Sequence, residues 1–173
     1  VEFRVVPSGF AEHGPGRDAR ARVEANARGK ARDVAAREGV PPGGAVLGAD
    51  TEVVLDGAAL GTPADEHAAG ALLDALAGRA HEVLTAVVLV TAAGESVAVK
   101  GARVHVRPLT AAVRRWYLDT GEWRGRAGGY AVQGAGAALV TRVEGDHSAV
   151  VGLPVARVAD MLAAAGLGPW GRP

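Results

Sequence analysis

Cysteine is absent from the 173 residues. That excludes disulfides, thiolate nucleophiles and Cys-ligated metal, although it does not fix the compartment. Aromatic residues make up 4% of the chain against 25 glycines, and much of the apolar content is alanine, so side chains are small and backbones can approach closely. An excess of either charge is also missing, because 19 Lys and Arg balance 19 Asp and Glu. The balance removes any whole-protein electrostatic case for nucleic acid or a membrane surface and leaves only local basic clusters. No apolar run reaches about 18 residues, so no membrane-spanning helix is expected. The chain opens on Val1 with no secretion signal, and a removed one would leave no trace. The balanced charge and recurring Val and Leu runs are those of one globular domain with a real core.

Periodicity predicts alternating helices and strands. Residues 2–6 read as a short strand, followed by a loop with Glu12 and His13 bracketed by Pro7-Ser8-Gly9 and Gly14-Pro15-Gly16. Asp18 is placed to cap a helix running to Glu38, with Val23, Ala27, Ala31 and Val34 as its apolar stripe. Short strands are expected at 45–47 and 53–55, the second turning at Asp56-Gly57. A helix from Thr62 or Asp65 ends near Gly78, and the apolar run 82–90 is a buried strand that turns at Ala93-Gly94 into 96–107. In that segment Val97 and Val99 are out of phase with Val104 and Val106, so a bulge is expected near Gly101. Residues 110–119 read as a helix with Val113, Trp116 and Tyr117 inward. The stretch 121–136 is too Gly-rich for a regular element, 137–143 is strand-like, Glu144-Gly145-Asp146 is a turn, and a last helix spans 155–165. Trp170 falls in a loose tail. The hairpins argue against a purely parallel sheet, so the expected class is α/β with a mixed sheet.

Several residues could carry chemistry. In Gly48-Ala49-Asp50-Thr51 a buried strand delivers a carboxylate at its carboxyl end, where open α/β sheets place ligands; a turn cap is the plainer reading. Glu12 is either a solvated loop residue or, if its loop opens on the same edge, a partner for Asp50 in holding Mg²⁺ or Mn²⁺. Lys30 projects almost along the apolar stripe, so it either snorkels or reaches across the sheet edge towards phosphates. Glu122, Arg124, Arg126 and Gln133 stand among glycines, where backbone amides and guanidinium forks suit phosphate and an amide suits a base edge. P-loop and dinucleotide fingerprints are absent. The five histidines show no metal-ligand spacing, though His81 and His147 stand beside strands and could line a cleft. Arg103, His105 and Arg107 alternate on one strand face that is more simply solvated. No nucleic-acid-binding motif is visible.

Taken in order, these segments resemble the Maf family of septum-formation-like nucleoside triphosphate pyrophosphatases. The resemblance runs through Phe3-Arg4-Val5-Val6-Pro7-Ser8-Gly9 with Glu12, Ala27-Arg28-Gly29-Lys30-Ala31, and Gly48-Ala49-Asp50-Thr51. It continues through Ala80-His81-Glu82-Val83 with Thr85, the run from Gly125 to Gly134, and Glu144-Gly145 before Val150-Val151-Gly152-Leu153-Pro154. It implies a mixed α/β fold with two lobes around a cleft, similar to the inosine triphosphate pyrophosphatases. It also implies a cytoplasmic enzyme, with a homodimer as a family expectation, that cleaves the α–β phosphoanhydride. The implied metal is Mg²⁺ or Mn²⁺, held through Glu12 and Asp50. Asp50, Lys30 and Glu12 would be catalytic, and Thr51, Thr62, Arg126 and Gln133 would bind the nucleotide. Thr51 and Gln133 match the branch that prefers dTTP and UTP.

Two departures stand out. The family's opening strand and its Ser-x-Ser-Pro-Arg-Arg segment are missing from these residues, and Thr62 stands before Pro63 where the family has lysine. Threonine cannot supply that charge. Arg126 for the usual lysine keeps it. The departures favour an alternative from a different class, a catalytically weak nucleotide-binding homologue acting in growth or division control; intact Glu12, Lys30, Asp50 and Gln133 oppose it.

Overall fold

A computed structural model describes residues 2–14 and 18–168. Val1, the Pro15-Gly16 bracket and Trp170 lie outside the described residues. Helix α1 (Ala19–Glu38) starts where the Asp18 carboxylate accepts from the Ala21 N–H and stops at Gly39, whose φ is 76°. Its buried stripe is Val23, Ala27 and Ala31. These side chains are small enough for the helix to lie directly on strand β1 (Val46–Leu55), and Gly48 completes the fit. A Cβ on Gly48 would sit 2.6 Å from the Ala27 carbonyl oxygen and 2.8 Å from Ala31 Cβ.

β1 is one ten-residue strand, where two short ones were expected. Its polar centre looked like a break, but β3 (Ala80–Thr91) pairs along it from Val46↔Val90 to Val54↔Glu82. Each central polar side chain finds a partner: Asp50 bonds Lys30, Glu52 bonds Arg22, and Thr51 bonds Thr85. Asp50 therefore stands in mid-strand, not at a strand's carboxyl end. Asp56 and Gly57, both at positive φ, turn β1 into the two-residue β2 (Ala58–Ala59), as the Asp-Gly signal predicts.

The remaining elements are α2 (Glu66–Leu76), β4 (Gly94–Val106), α3 (Ala111–Thr120), β5 (Val140–Gly145), α4 (His147–Val151) and α5 (Val155–Ala164). Asp65, Thr110 and Asp146 accept backbone N–H groups at the starts of α2, α3 and α4. The sheet order is β2-β1-β3-β4-β5, and each described pairing is antiparallel. With helices on both faces this is the expected α/β architecture. Among the described strands, however, the sheet is antiparallel throughout where a mixed one is expected, because neighbouring strands are joined as hairpins or returns. Helix α1 covers one face through Ala86, Val88, Val97 and Val99. The other face packs on α2 and α3 through Val53, Val83, Val104 and Val106, and on α5 through Val87 and Leu89.

This layering explains the phase change in β4. Register with β3 runs unbroken through Leu84↔Gly101, so no bulge lies there. The valines switch phase because α1 covers one face of β4 at its start while α2 and α3 cover the opposite face at its end. The irregularity lies instead between His105 and Val106, in the pairing with β5.

Three other expectations differ. Residues 2–6 form no strand; the segment runs beside α1, with Arg4 bonding Glu38, and Ser8 Oγ and the Gly9 N–H bonding Asp33. A strand needs an edge to pair with, and a helix offers none. Trp116 is 48% exposed, whereas Tyr117 on the next helical position takes the core. Residues 134–138 are a 3₁₀ turn, which delays the last strand to Val140 and draws Glu144-Gly145 into it. No helix among the described residues is long and apolar enough to cross a membrane.

Candidate active site

Between Val46 and Val53, β1 has a described strand partner on one side only, because β2 pairs with Val54 and Leu55. A cavity of about 310 Å³ wraps around this open edge. Asp50 and Thr51 point to opposite faces of the sheet, since neighbours along a strand alternate, yet both line that cavity. So do Glu12, Lys30, Thr62, Arg126 and Gln133. All seven candidate residues are thus brought to one place, from the first loop, α1, β1, the loop after β2, and the Gly-rich stretch.

On the α1 side the centre is ionic. Lys30 Nζ lies 2.6 Å from Asp50 Oδ1 and 2.7 Å from Glu12 Oε1. Asn26 completes the cluster: its Nδ2 donates to Asp50 Oδ2 at 3.2 Å, and its Oδ1 accepts the His13 N–H at 2.8 Å, which fixes the loop bearing Glu12. Burial opposes charge on Lys30, but its bonds to Asp50 and Glu12 prevail and raise its pKa. Burial pushes the Asp50 carboxyl above its ordinary value, with Lys30 pulling the other way. The arrangement is an ammonium held between two carboxylates at the edge of the cavity.

On the other face the lining is neutral apart from Arg126. Thr51, Val53, Val83, Tyr130 and Gln133 line this part, with the Val150–Gly152 turn. The Gly-rich stretch forms one wall because it is pinned at several points. The Gly128 N–H donates to the Gly61 carbonyl at 2.7 Å, and a Cβ on Gly128 would meet Val53 side-chain carbon at 2.9 Å. Tyr130 OH lies 2.7 Å from His81 Nε2, and Tyr117 OH accepts the Ala131 N–H. Glu122 accepts the N–H groups of Ala135 and Gly136, so it anchors the loop and does not face the cavity. Arg126 is the arginine of this stretch that lines the cavity; Arg124 lies over the Trp123 ring, 4.5 Å from its centroid. His81 is buried behind Tyr130, His105 bonds Glu144, and neither they nor His147 line the cleft.

Asn26 and the cavity-lining part of the Val150–Gly152 turn carry no site signal in the sequence. Asn26 lies one helical turn before Lys30, a spacing that marks a shared face, but an asparagine in a helix carries no signal of its partner. Val150-Val151-Gly152 belongs to a motif that carries the family resemblance, but nothing in its residue types marks it as cavity lining. Among the described residues no group of three or more His, Asp or Glu could hold a metal ion by itself.

Comparison with known proteins identifies the family. Residues 1–165 match the profile of a family described as Maf-like protein. A dTTP/UTP pyrophosphatase of Symbiobacterium thermophilum is 44% identical over 163 residues, covering 94% of this chain and 82% of that protein. One from Deinococcus radiodurans is 42% identical over 172 residues, covering 99% and 86%, and one from Alcanivorax borkumensis is 41% identical over 173, covering 98% and 88%.

Proposed function

The chain belongs to the Maf family, and on that premise we propose that it is a cytoplasmic nucleoside triphosphate pyrophosphatase. Its preferred substrates are dTTP and UTP, which it splits at the α–β anhydride into nucleoside monophosphate and pyrophosphate. The observation that carries the reading is the division of one cavity by β1. Lys30, Glu12 and Asp50 make the α1 side charged and suited to a metal-bound triphosphate. Arg126 enters from the Gly-rich wall opposite, where the otherwise neutral lining with Thr51 and Gln133 suits a base.

Lys30 and Arg126 bind phosphate oxygens and offset the charge that grows on them as the anhydride breaks. Asp50 orients the attacking water and accepts its proton. Gln133 reads the base through its amide. Glu12 and Asp50 are within reach of one ammonium. They therefore suit a hard divalent ion, Mg²⁺ or Mn²⁺, that draws its other oxygens from phosphate and water. Such an ion, when bound, would neutralise phosphate charge and lower the pKa of a water.

Thr62 favours a second reading, a nucleotide binder with little turnover, because it lines the cavity without charge. Pyrophosphate release from dTTP, UTP, CTP, ATP, GTP and 7-methyl-GTP, with Mg²⁺ or Mn²⁺ or chelator, separates the two. Metal-dependent release led by dTTP or UTP and lost in Asp50→Asn is expected. Nucleotide binding with turnover no higher than that variant selects the second reading.

A further inference from the structure

Thr85 decides what Thr51 can offer a ligand. It lies on β3 with 0% exposure. Its Oγ1 is 2.7 Å from the Ala149 carbonyl oxygen and 2.8 Å from Thr51 Oγ1. A threonine hydroxyl has one proton and two lone pairs. The carbonyl only accepts, so the Thr85 proton goes to Ala149. The contact between the two hydroxyls must then run from Thr51 O–H to Thr85 Oγ1. The Thr51 proton is consumed on the buried side, and lone pairs are left for the cavity that Thr51 lines. Gly152 keeps that side clear: its φ is 121°, and a Cβ there would lie 3.7 Å from Thr51 Oγ1.

We propose that Thr85 is a positioning residue that holds Thr51 as a hydrogen-bond acceptor, so that the cavity selects a base presenting an N–H donor there. The imide N–H of uracil or thymine meets this requirement; cytosine presents a ring-nitrogen lone pair in its place and sets acceptor against acceptor. Gln133 cannot make this choice, because an amide turns to present either its oxygen or its nitrogen, and among the described hydrogen bonds none fixes it. The hydroxyl of Thr51 has no such freedom while Thr85 holds its proton. The choice of pyrimidine nucleotides as ligands rests on the function proposed above; the direction of the Thr51 hydroxyl does not.

The test measures the affinity ratio of non-hydrolysable α,β-imido-UTP to α,β-imido-CTP by calorimetry, beside kcat/KM for UTP and CTP, in the wild type, Thr85→Val and Thr85→Ser. Wild type should favour the uridine ligand by at least roughly tenfold, about 1.4 kcal/mol, the scale of one net hydrogen bond. Thr85→Val keeps the shape but frees the Thr51 proton, so the ratio should fall towards one, chiefly through gain of the cytidine ligand. Thr85→Ser restores the relay and should restore the ratio. A purely structural role for Thr85 would lower Tm and weaken both ligands alike. An unchanged ratio in folded Thr85→Val overturns the proposal. If that variant does not fold, Thr51→Val carries the test, and a retained wild-type ratio overturns it. Wild type that binds with the expected ratio but releases no pyrophosphate would sink the enzyme reading alone, and wild type that binds neither ligand would sink both.

Discussion

The Lys30 ammonium lies 2.6 Å from Asp50 Oδ1, where helix α1 rests on strand β1. Its second contact, to Glu12 at 2.7 Å, makes it the counter-ion of both carboxylates proposed to hold a metal. A metal bound there would have to compete with the lysine for the same oxygens, and phosphates that engaged the ammonium would release them.

Replacing Lys30 by Met should expose this competition. The Asp50 side chain is 7% exposed, so removing its cation leaves a buried carboxylate with only the Asn26 amide. Breaking a buried pair from one side costs about 3–5 kcal/mol, and the partly open setting places this case near 2–3 kcal/mol. Without nucleotide, Mn²⁺ should raise the melting temperature of Lys30→Met more than that of the wild type. Equal Mn²⁺ shifts in the two proteins would remove the competition.

Acid should weaken the protein through His81. Burial, with a smaller contribution from His105, pushes its imidazole down to about 4 from 6.5. Between those values the unfolded chain takes up a proton that the native state refuses. The His81 contribution is thus intact above pH 6.5 and lost as pH falls towards 4, by about 3 kcal/mol in all. His81→Gln keeps a donor for Tyr130 and cannot titrate, so its urea midpoint should fall less steeply across that window. Parallel midpoint curves for the two proteins would contradict the assignment.

Gly48→Ala links packing to chemistry. The added Cβ would stand 2.6 Å from the Ala27 carbonyl oxygen, which is backbone and cannot swing aside. Helix α1 must lift from β1, at a cost of about 1–3 kcal/mol for overpacking. Lys30 and Asn26 ride on that helix, so nucleotide affinity should fall along with the melting temperature. A variant that melts early but binds nucleotide normally would show that the cluster tolerates the shift.

How far the sequence was legible follows from the range of each signal. Helix α1 was readable almost to the residue because cap, stripe and stop are local. Its fit on Gly48 was not, since it depends on a strand far along the chain. β1 reads as two pieces because Asp50, Thr51 and Glu52 look like a break until Lys30, Thr85 and Arg22 are placed beside them. The expected bulge at Gly101 failed for a related reason. Phase along a strand reports which face is covered, and here the cover changes sides. Pattern alone points to Asp50, Glu12, Lys30, Arg126 and Gln133 with alternatives open, and Thr51 and Thr62 join the site only through resemblance to known motifs.

Thr62 offers a direct test of whether charge limits this cavity. Lys30 and Arg126 are its cationic lining residues among those described, and Thr62 lines it too. A lysine there would add a third charge against the phosphates, as the family pattern has it. Thr62→Lys should raise kcat/KM for UTP by about tenfold, an effect of some 1.4 kcal/mol on the transition state. Because part of that gain is Coulombic through solvent, it should shrink as salt rises and the Debye length falls from about 10 Å to about 3 Å. Thr62→Val separates charge from hydrogen bonding: a severalfold loss would mean that the hydroxyl already contacts phosphate, and no change would mean that it does not. If Thr62→Lys folds normally but is no faster than the wild type at low salt, then Lys30 and Arg126 already saturate the electrostatic demand. In that case the missing charge gives no reason to regard this chain as a weak catalyst.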